Sequence, residues 1–192
     1  MRIIAGDHRG RRLAAPKGMA TRPTTDRVRE SLMSMVGSAR GGFDGAVVLD
    51  AFAGSGALGL EAISRGAERC VFCEMDRNAL SALTANIAAL LLEGSARVAR
   101  GDVLKRPPCS FGPFNLVFLD PPYALRPEAA LALLEALRKA GALEDDVLVS
   151  YEHSTASDGP LDACLEGTAW QRVNRRHWKE TSIDFLALAS GR

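Results

Sequence analysis

A chain of 192 residues, 47% hydrophobic and with 18 glycines, can bury one core and carry an extension, but hardly two full domains. The longest apolar run, Ile87 to Leu92, falls far short of the roughly 20 residues that span a bilayer, and the charged start (Arg2, Asp7, His8, Arg9) lacks the apolar stretch of a secretory leader. A cytoplasmic protein without membrane contact is expected. The net charge of +1 hides an asymmetry, because residues 1–40 carry +6 and the remainder −5, and a basic arm on a mildly acidic body suits a polyanionic partner such as nucleic acid.

In chain order, "RIIAG" and "RRLAA" flank "DHRG", which predicts a short hairpin with Gly10 free to take a positive φ. After the loop "APKGMATRP", Thr24 or Thr25 can cap a helix running to about Val36, with Val28, Leu32, Met35 and Val36 on one face. Arg27 and Arg29 are placed off that stripe, free for solvent or phosphate, and Gly37 with Gly41-Gly42 ends the helix. The arm is therefore bounded at residues 1–42, and residues 43–192 form the main domain.

From residue 46 the pattern alternates. "AVVLD", "RCVFCE", "ARVARGD", "FNLVFLD" and "DVLVSYE" read as strands, separated by helices in "SGALGLEAISRG", "DRNALSALTANIAALLLEG" and "RPEAALALLEALRKAG". Such alternation predicts a parallel sheet with helices on both faces. Three prolines and a glycine between Asp102 and Asn115 leave space for at most a turn of helix before the fourth strand. "WQRVNRRHW" and "TSIDFLALA" close the chain as an antiparallel hairpin at one sheet edge.

Cys70 and Cys73 have the spacing of a zinc or redox pair, but side chains three apart on a strand point to opposite faces. No second pair completes four ligands, so buried, inert thiols and no metal are expected.

The stretch Asp50 to Glu61, "DAFAGSGALGLE", fits the dinucleotide fingerprint G-x-G-x-x-G, and Glu74 lies 20 positions after Gly54, where a ribose-binding acid belongs. The fingerprint normally begins at the strand end, however, whereas Asp50-Ala-Phe-Ala intervenes here, and no catalytic His or Lys of a dehydrogenase is evident. The more specific signal is Asp120-Pro121-Pro122-Tyr123. An Asp at a strand end followed by two prolines makes a rigid turn lacking two N–H groups. The Asp120 carboxylate and the Pro121 carbonyl can then converge on one small donor, such as the exocyclic amine of a nucleobase, while Tyr123 offers a face for stacking.

The glycine loop, Glu74, "GD" at 101–102 and "DPPY" resemble the motifs of Rossmann-like, S-adenosylmethionine-dependent amino-methyltransferases. The arm "RIIAGDHRGRRLAAPKGMATRPTTDRVRESL" narrows this, since it closely resembles that of the bacterial RsmD family, which methylates N2 of a guanine in 16S ribosomal RNA. The resemblance covers nearly the whole chain; the arm and DPPY are its most specific parts. It implies a Rossmann-like α/β domain with a seven-stranded, mostly parallel sheet, an antiparallel C-terminal hairpin and an N-terminal hairpin-and-helix extension.

The same resemblance implies that Asp50, Ala51, Phe52, Gly54, Ser55 and Gly56 surround the methionine part of S-adenosylmethionine. Glu74 would accept both ribose hydroxyls, Met75 would pack on the adenine, Asp102 and Val103 would border its amino group, and Asp120 would also face the cofactor. Asp120, Pro121 and Tyr123 would hold the target base, and Arg9, Arg11, Arg12, Lys17, Arg22, Thr24, Arg27 and Arg29 would meet RNA. Where the family commonly has Tyr-Gly before the last strand this chain has "HWKETSIDF", with Trp178 as an aromatic surface beside Arg175 and Arg176. Gly59 becomes a helix-packing residue. A monomer acting on ribosomal RNA, free or within an assembling small subunit, is expected. A DNA adenine-N6 or other amino-methyltransferase is the alternative, although the chain has no length for the target-recognition domain of the DNA enzymes.

Overall fold

The computed structural model describes residues 1–16 and 26–189; the side chain of Asp26 is outside it. Strands β1 (Val47–Asp50), β2 (Arg69–Glu74), β3 (Ala96–Arg100), β4 (Phe114–Leu119), β5 (Leu143–Ser154), β6 (Trp170–Trp178) and β7 (Thr181–Leu188) form one sheet in the order β3-β2-β1-β4-β5-β7-β6. The first five are parallel, while β7 runs antiparallel between β5 and β6. The helices are α1 (Asp26–Arg40), α2 (Ala57–Ser64), α3 (Arg77–Leu90), α4 (Pro127–Lys139) and α5 (Asp158–Leu165).

Alternate strand residues sort into two cores. Val48, Cys70, Phe72, Leu116 and Phe118 pack with α1, α2 and α3, whereas Leu49, Val71, Cys73, Val117 and Leu119 pack with α4 and α5. Side chains alternate across a pleated strand, so the central strands β1, β2 and β4 are covered on both faces and read as mainly apolar runs, whereas the edge strand β3 (ARVAR) is only partly covered. Both strand cysteines are buried and free of disulfides, one on each face.

Two helices depart from expectation. α1 continues past Gly37 to Arg40, because Gly37 keeps a negative φ and the Phe43 ring lies against its Cα side, 3.4 Å from where a Cβ would stand. The Thr24 or Thr25 cap falls outside the described residues. α5 has no counterpart among the helices expected from the sequence; Pro160 lies in its first turn, where proline is tolerated, and Leu161 is buried in the second core. Between β3 and β4 only a single turn of 3-10 helix forms, at Cys109–Phe111.

The N-terminal segment makes the anticipated hairpin, with Ile3 N–H donating to Arg11, Leu13 N–H to Met1 and a bridge between Arg2 and Arg12; Gly10 has φ 83°. It lies on the domain rather than apart from it. Ile3 and Leu13 join the first core. The fully buried Glu61 of α2 accepts from Ile4 N–H at 2.7 Å and Ala5 N–H at 3.0 Å, and Ser64 Oγ accepts from His8 N–H at 3.0 Å. At Gly6 a Cβ would stand 1.6 Å from the Ser64 carbonyl oxygen, so no larger residue fits this docking.

Candidate active site

Four acids stand at or just beyond the carboxyl ends of neighbouring parallel strands: Asp50 on β1, Glu74 on β2, Asp102 after β3 and Asp120 after β4. This is the end at which open α/β sheets bind ligands. The segment between β1 and α2 is shaped by Gly54 (φ 56°) and Gly56 (φ 85°), both left-handed. A Cβ at Gly56 would come 2.5 Å from Leu83 Cδ1, whereas one at Gly54 would meet nothing within 4 Å, so the loop presents an open side at Gly54. Gly59, the third glycine of the fingerprint, serves packing as expected: a Cβ there would lie 2.3 Å from Phe72 Cε1 and 2.5 Å from Cys70 Sγ.

Glu74 ties this loop to β2. Its Oε2 accepts from Gly54 N–H at 2.8 Å, and its Oε1 accepts from Met75 and Asp76 N–H, both at 2.7 Å. A carboxylate offers about four acceptor positions, so the fold occupies three and leaves one. Asp50 Oδ2 accepts from Gly59 N–H at 3.0 Å, while the buried Oδ1 has no partner among the described residues. Burial pushes the Asp50 carboxyl up to about 7, assisted by the charges of Asp120 and Glu74 and opposed by the Gly59 bond. Burial likewise pushes Asp120 up to about 6. An orphaned buried oxygen and two acids near neutrality describe a site of negative potential suited to a cation or a hydrogen-bond donor.

Met75 is 67% exposed directly after Glu74, an apolar chain in open solvent at the rim. Asp102 Oδ1 accepts from Leu104 N–H at 3.0 Å and caps the following turn; Val103 is buried in the second core, which leaves only its backbone for a ligand. Ala51 and Ser55 are buried and Phe52 is half-buried, so the loop contributes mainly main chain. Pro121 is buried, Pro122 exposed, and Tyr123 is 37% exposed with its hydroxyl 2.6 Å from Thr181 Oγ1 at the start of β7. Nothing in the sequence marks Thr181, because the pairing spans 58 positions.

Of the basic residues assigned to the arm, Arg9, Arg11, Arg12 and Arg27 are exposed, and Arg11 also donates to the Ala89 carbonyl. Arg29, expected to face solvent or phosphate, does not. It is 1% exposed and donates from Nη2 to the Arg2 carbonyl. It shares a helical face with Met33 and Val36, both fully buried, and the hairpin folds over that face. Lys17, Arg22 and Thr24 lie outside the described residues. Arg175, read beside Trp178, is held between Asp184 (2.7 Å and 2.8 Å) and Asp162 (2.9 Å), and Trp178 is half-buried against the first core.

A seven-stranded sheet of this order, with a glycine loop after β1, an acid ending β2 and a strand-terminal DPPY, defines a Rossmann-like methyltransferase. The comparisons agree. Residues 1–186 match the family model described as "Conserved hypothetical protein 95". Ribosomal RNA small subunit methyltransferase D of Escherichia coli K12 is 40% identical over 159 residues, 83% of this chain and 77% of that protein. The enzyme of the same description from Haemophilus influenzae is 39% identical over 166 residues, 84% and 81% of the two chains. A solved structure described as "Putative methyltransferase yhhF from Escherichia coli" superposes with a TM-score of 0.81 at 36% identity, covering 98% of this chain and 97% of that one. The chain belongs to the RsmD family of methyltransferases.

Enzymes of this class use S-adenosylmethionine. The cleft fits that cofactor: the Gly54 side of the loop is open, Glu74 keeps a free acceptor for a hydroxyl, Met75 offers apolar cover, and the unpartnered Asp50 oxygen with the raised carboxyl of Asp120 suits a sulfonium.

Proposed function

We propose that this enzyme methylates the exocyclic N2 of a guanine in small-subunit ribosomal RNA. Two relatives described as small-subunit rRNA methyltransferases support the substrate class. The observation that carries the chemistry is the DPPY turn. It sets a raised-pKa carboxyl beside Asp50 on the adjacent strand and an exposed, anchored aromatic ring three residues on.

Bound S-adenosylmethionine supplies an activated methyl group on a cationic sulfur. Everything else falls to the chain. The guanine N2 lone pair is delocalised into the ring, so the amine is a poor nucleophile until its hydrogens are held. Asp120 and the Pro121 carbonyl accept those hydrogens, favour a pyramidal nitrogen and fix its approach, and such positioning is a large share of the rate enhancement open to this reaction. Tyr123 stacks on the base. Asp120, near 6, is ionised at neutral pH yet basic enough to take the proton that the methylated amine releases. Glu74 holds a ribose hydroxyl with its remaining acceptor position, and holding a second means surrendering one of its three backbone bonds. Arg9, Arg11, Arg12 and Arg27 bind phosphates, with Lys17 and Arg22.

A transfer assay with tritiated methyl donor, run on RNA, DNA and protein pools, tests this directly. RNA is expected to be labelled, with the label in N2-methylguanosine after digestion. Asp120→Ala is expected to abolish transfer and to leave cofactor affinity within a few-fold of wild type. Label in DNA adenine, or near-normal turnover in that variant, overturns the assignment.

A further inference from the structure

Asn86 lies in the middle of α3, where asparagine is a poor helix former whose amide usually competes with the backbone. Its side chain is 2% exposed, yet every polar hydrogen of the amide is used. Oδ1 accepts from Ala14 N–H at 2.7 Å, and Nδ2 donates to the Ala14 carbonyl at 3.1 Å. The amide therefore pairs with Ala14 on both sides, as a neighbouring strand would. Nδ2 also donates to the Ser55 carbonyl at 2.9 Å. Ala14 belongs to the N-terminal hairpin segment; Ser55 stands between Gly54 and Gly56 in the glycine loop. One planar group is thus bonded to both the nucleic-acid arm and the cofactor cradle.

We infer that Asn86 is a positioning residue that couples the two substrates, so that occupancy of the glycine loop strengthens the binding of RNA by the arm. The inference rests on the reading that the arm contacts RNA. The amide is rigid, so fixing its Nδ2 against Ser55 also fixes the angle at which Oδ1 and Nδ2 meet Ala14. Ser55 is flanked by two left-handed glycines, the residue type with the most backbone freedom to lose, and a bound ligand orders this loop beyond the bonds that already hold it to Glu74 and Ala53. Ordering contributed by the first ligand need not be supplied again when the second arrives, which is positive coupling without a large structural change. By linkage the effect is reciprocal.

The decisive measurement is the affinity of the full-length protein for small ribosomal subunits lacking the methyl mark, with and without saturating S-adenosylhomocysteine. Wild type is expected to bind at least about fivefold more tightly with the analogue, the lower range of ordinary coupling. In Asn86→Ala that ratio should fall to within about twofold of one, while each ligand still binds alone. A purely mechanical clamp would weaken RNA binding equally in both states and keep the ratio. Hydrogen exchange on the wild-type protein provides a second reading that needs neither a variant nor RNA: S-adenosylhomocysteine alone should slow exchange at the Ala14 amide. Subunits that bind with a ratio near one, a ratio preserved in Asn86→Ala, or unchanged Ala14 exchange each overturn the coupling. Failure of wild type to bind subunits in either state refutes instead the RNA reading of the arm, and the exchange result then decides the role of Asn86.

Discussion

The Tyr123 hydroxyl and Thr181 Oγ1 lie 2.6 Å apart and join the DPPY turn to the first residue of β7. Thr181 is itself held in register between Ser154 of β5 and Trp178 of β6. The ring that would receive the target base is thereby referenced to the C-terminal hairpin as well as to β4. Thr181→Val keeps the shape of the side chain and removes the bond. A neutral hydrogen bond contributes about 0.5–1.5 kcal/mol, so single-turnover transfer is expected to slow roughly three- to tenfold, with calorimetric cofactor affinity unchanged. A normal rate would mean that the turn alone orients Tyr123.

Charge in the cleft can be read through the cofactor and its product, which differ by one positive charge. Asp50, near 7, and Asp120, near 6, are both raised, so both are largely protonated at pH 5.5 and ionised by pH 8. A cationic ligand gains from the ionised acids and a neutral one does not. Affinity for S-adenosylmethionine relative to S-adenosylhomocysteine should therefore climb with pH across 5.5 to 8, by roughly three- to tenfold if the pair is desolvated as burial implies. A ratio independent of pH would place the sulfonium away from both carboxyls.

Gly59→Ala separates packing from ligand binding in the glycine motif. The new methyl would collide with Phe72 and Cys70 inside the first core. Overpacking of this kind costs about 1–3 kcal/mol, so denaturant midpoints should fall while the cofactor affinity of the folded protein stays close to wild type. A large loss of affinity with intact stability would return Gly59 to the binding surface.

The arm is best tested by charge rather than by deletion. Replacing Arg9, Arg12 and Arg27 with alanine, all exposed, should lower RNA affinity and reduce the slope of log affinity against log salt by about 0.7–0.9 for each phosphate no longer neutralised. Melting temperature and cofactor affinity should not move. Removing residues 1–14, in contrast, should destabilise the whole domain, because Glu61 loses two backbone donors and the core loses Ile3 and Leu13. A deletion that melts like wild type would show the hairpin to be loosely attached.

These cases also show what the sequence can convey. Parallel strands buried on both faces announce themselves as apolar runs, and strand ends followed by acids or DPPY mark the ligand edge, so the sheet and most of the cleft are legible. Arg29 is misplaced by sequence because the stripe through Val28, Leu32, Met35 and Val36 omits Met33, and because only the folded chain shows the hairpin lying over that face. Asn86, Glu61 and Thr181 carry no local signature; each acts on a partner 56 or more positions away. α5 is set by packing against α4 and β6, which outweighs its own turn-forming Gly159-Pro160.

The Glu61 carboxylate has a consequence for recombining this protein with its relatives. Because it is buried and answered by the main chain of Ile4 and Ala5, the hairpin and α2 form one inheritance unit although some forty residues of chain lie between them. A chimaera with its crossover between the hairpin and α2 would confront the acid with a foreign backbone path, whereas one joined beyond Gly66 would carry both halves of the clasp together.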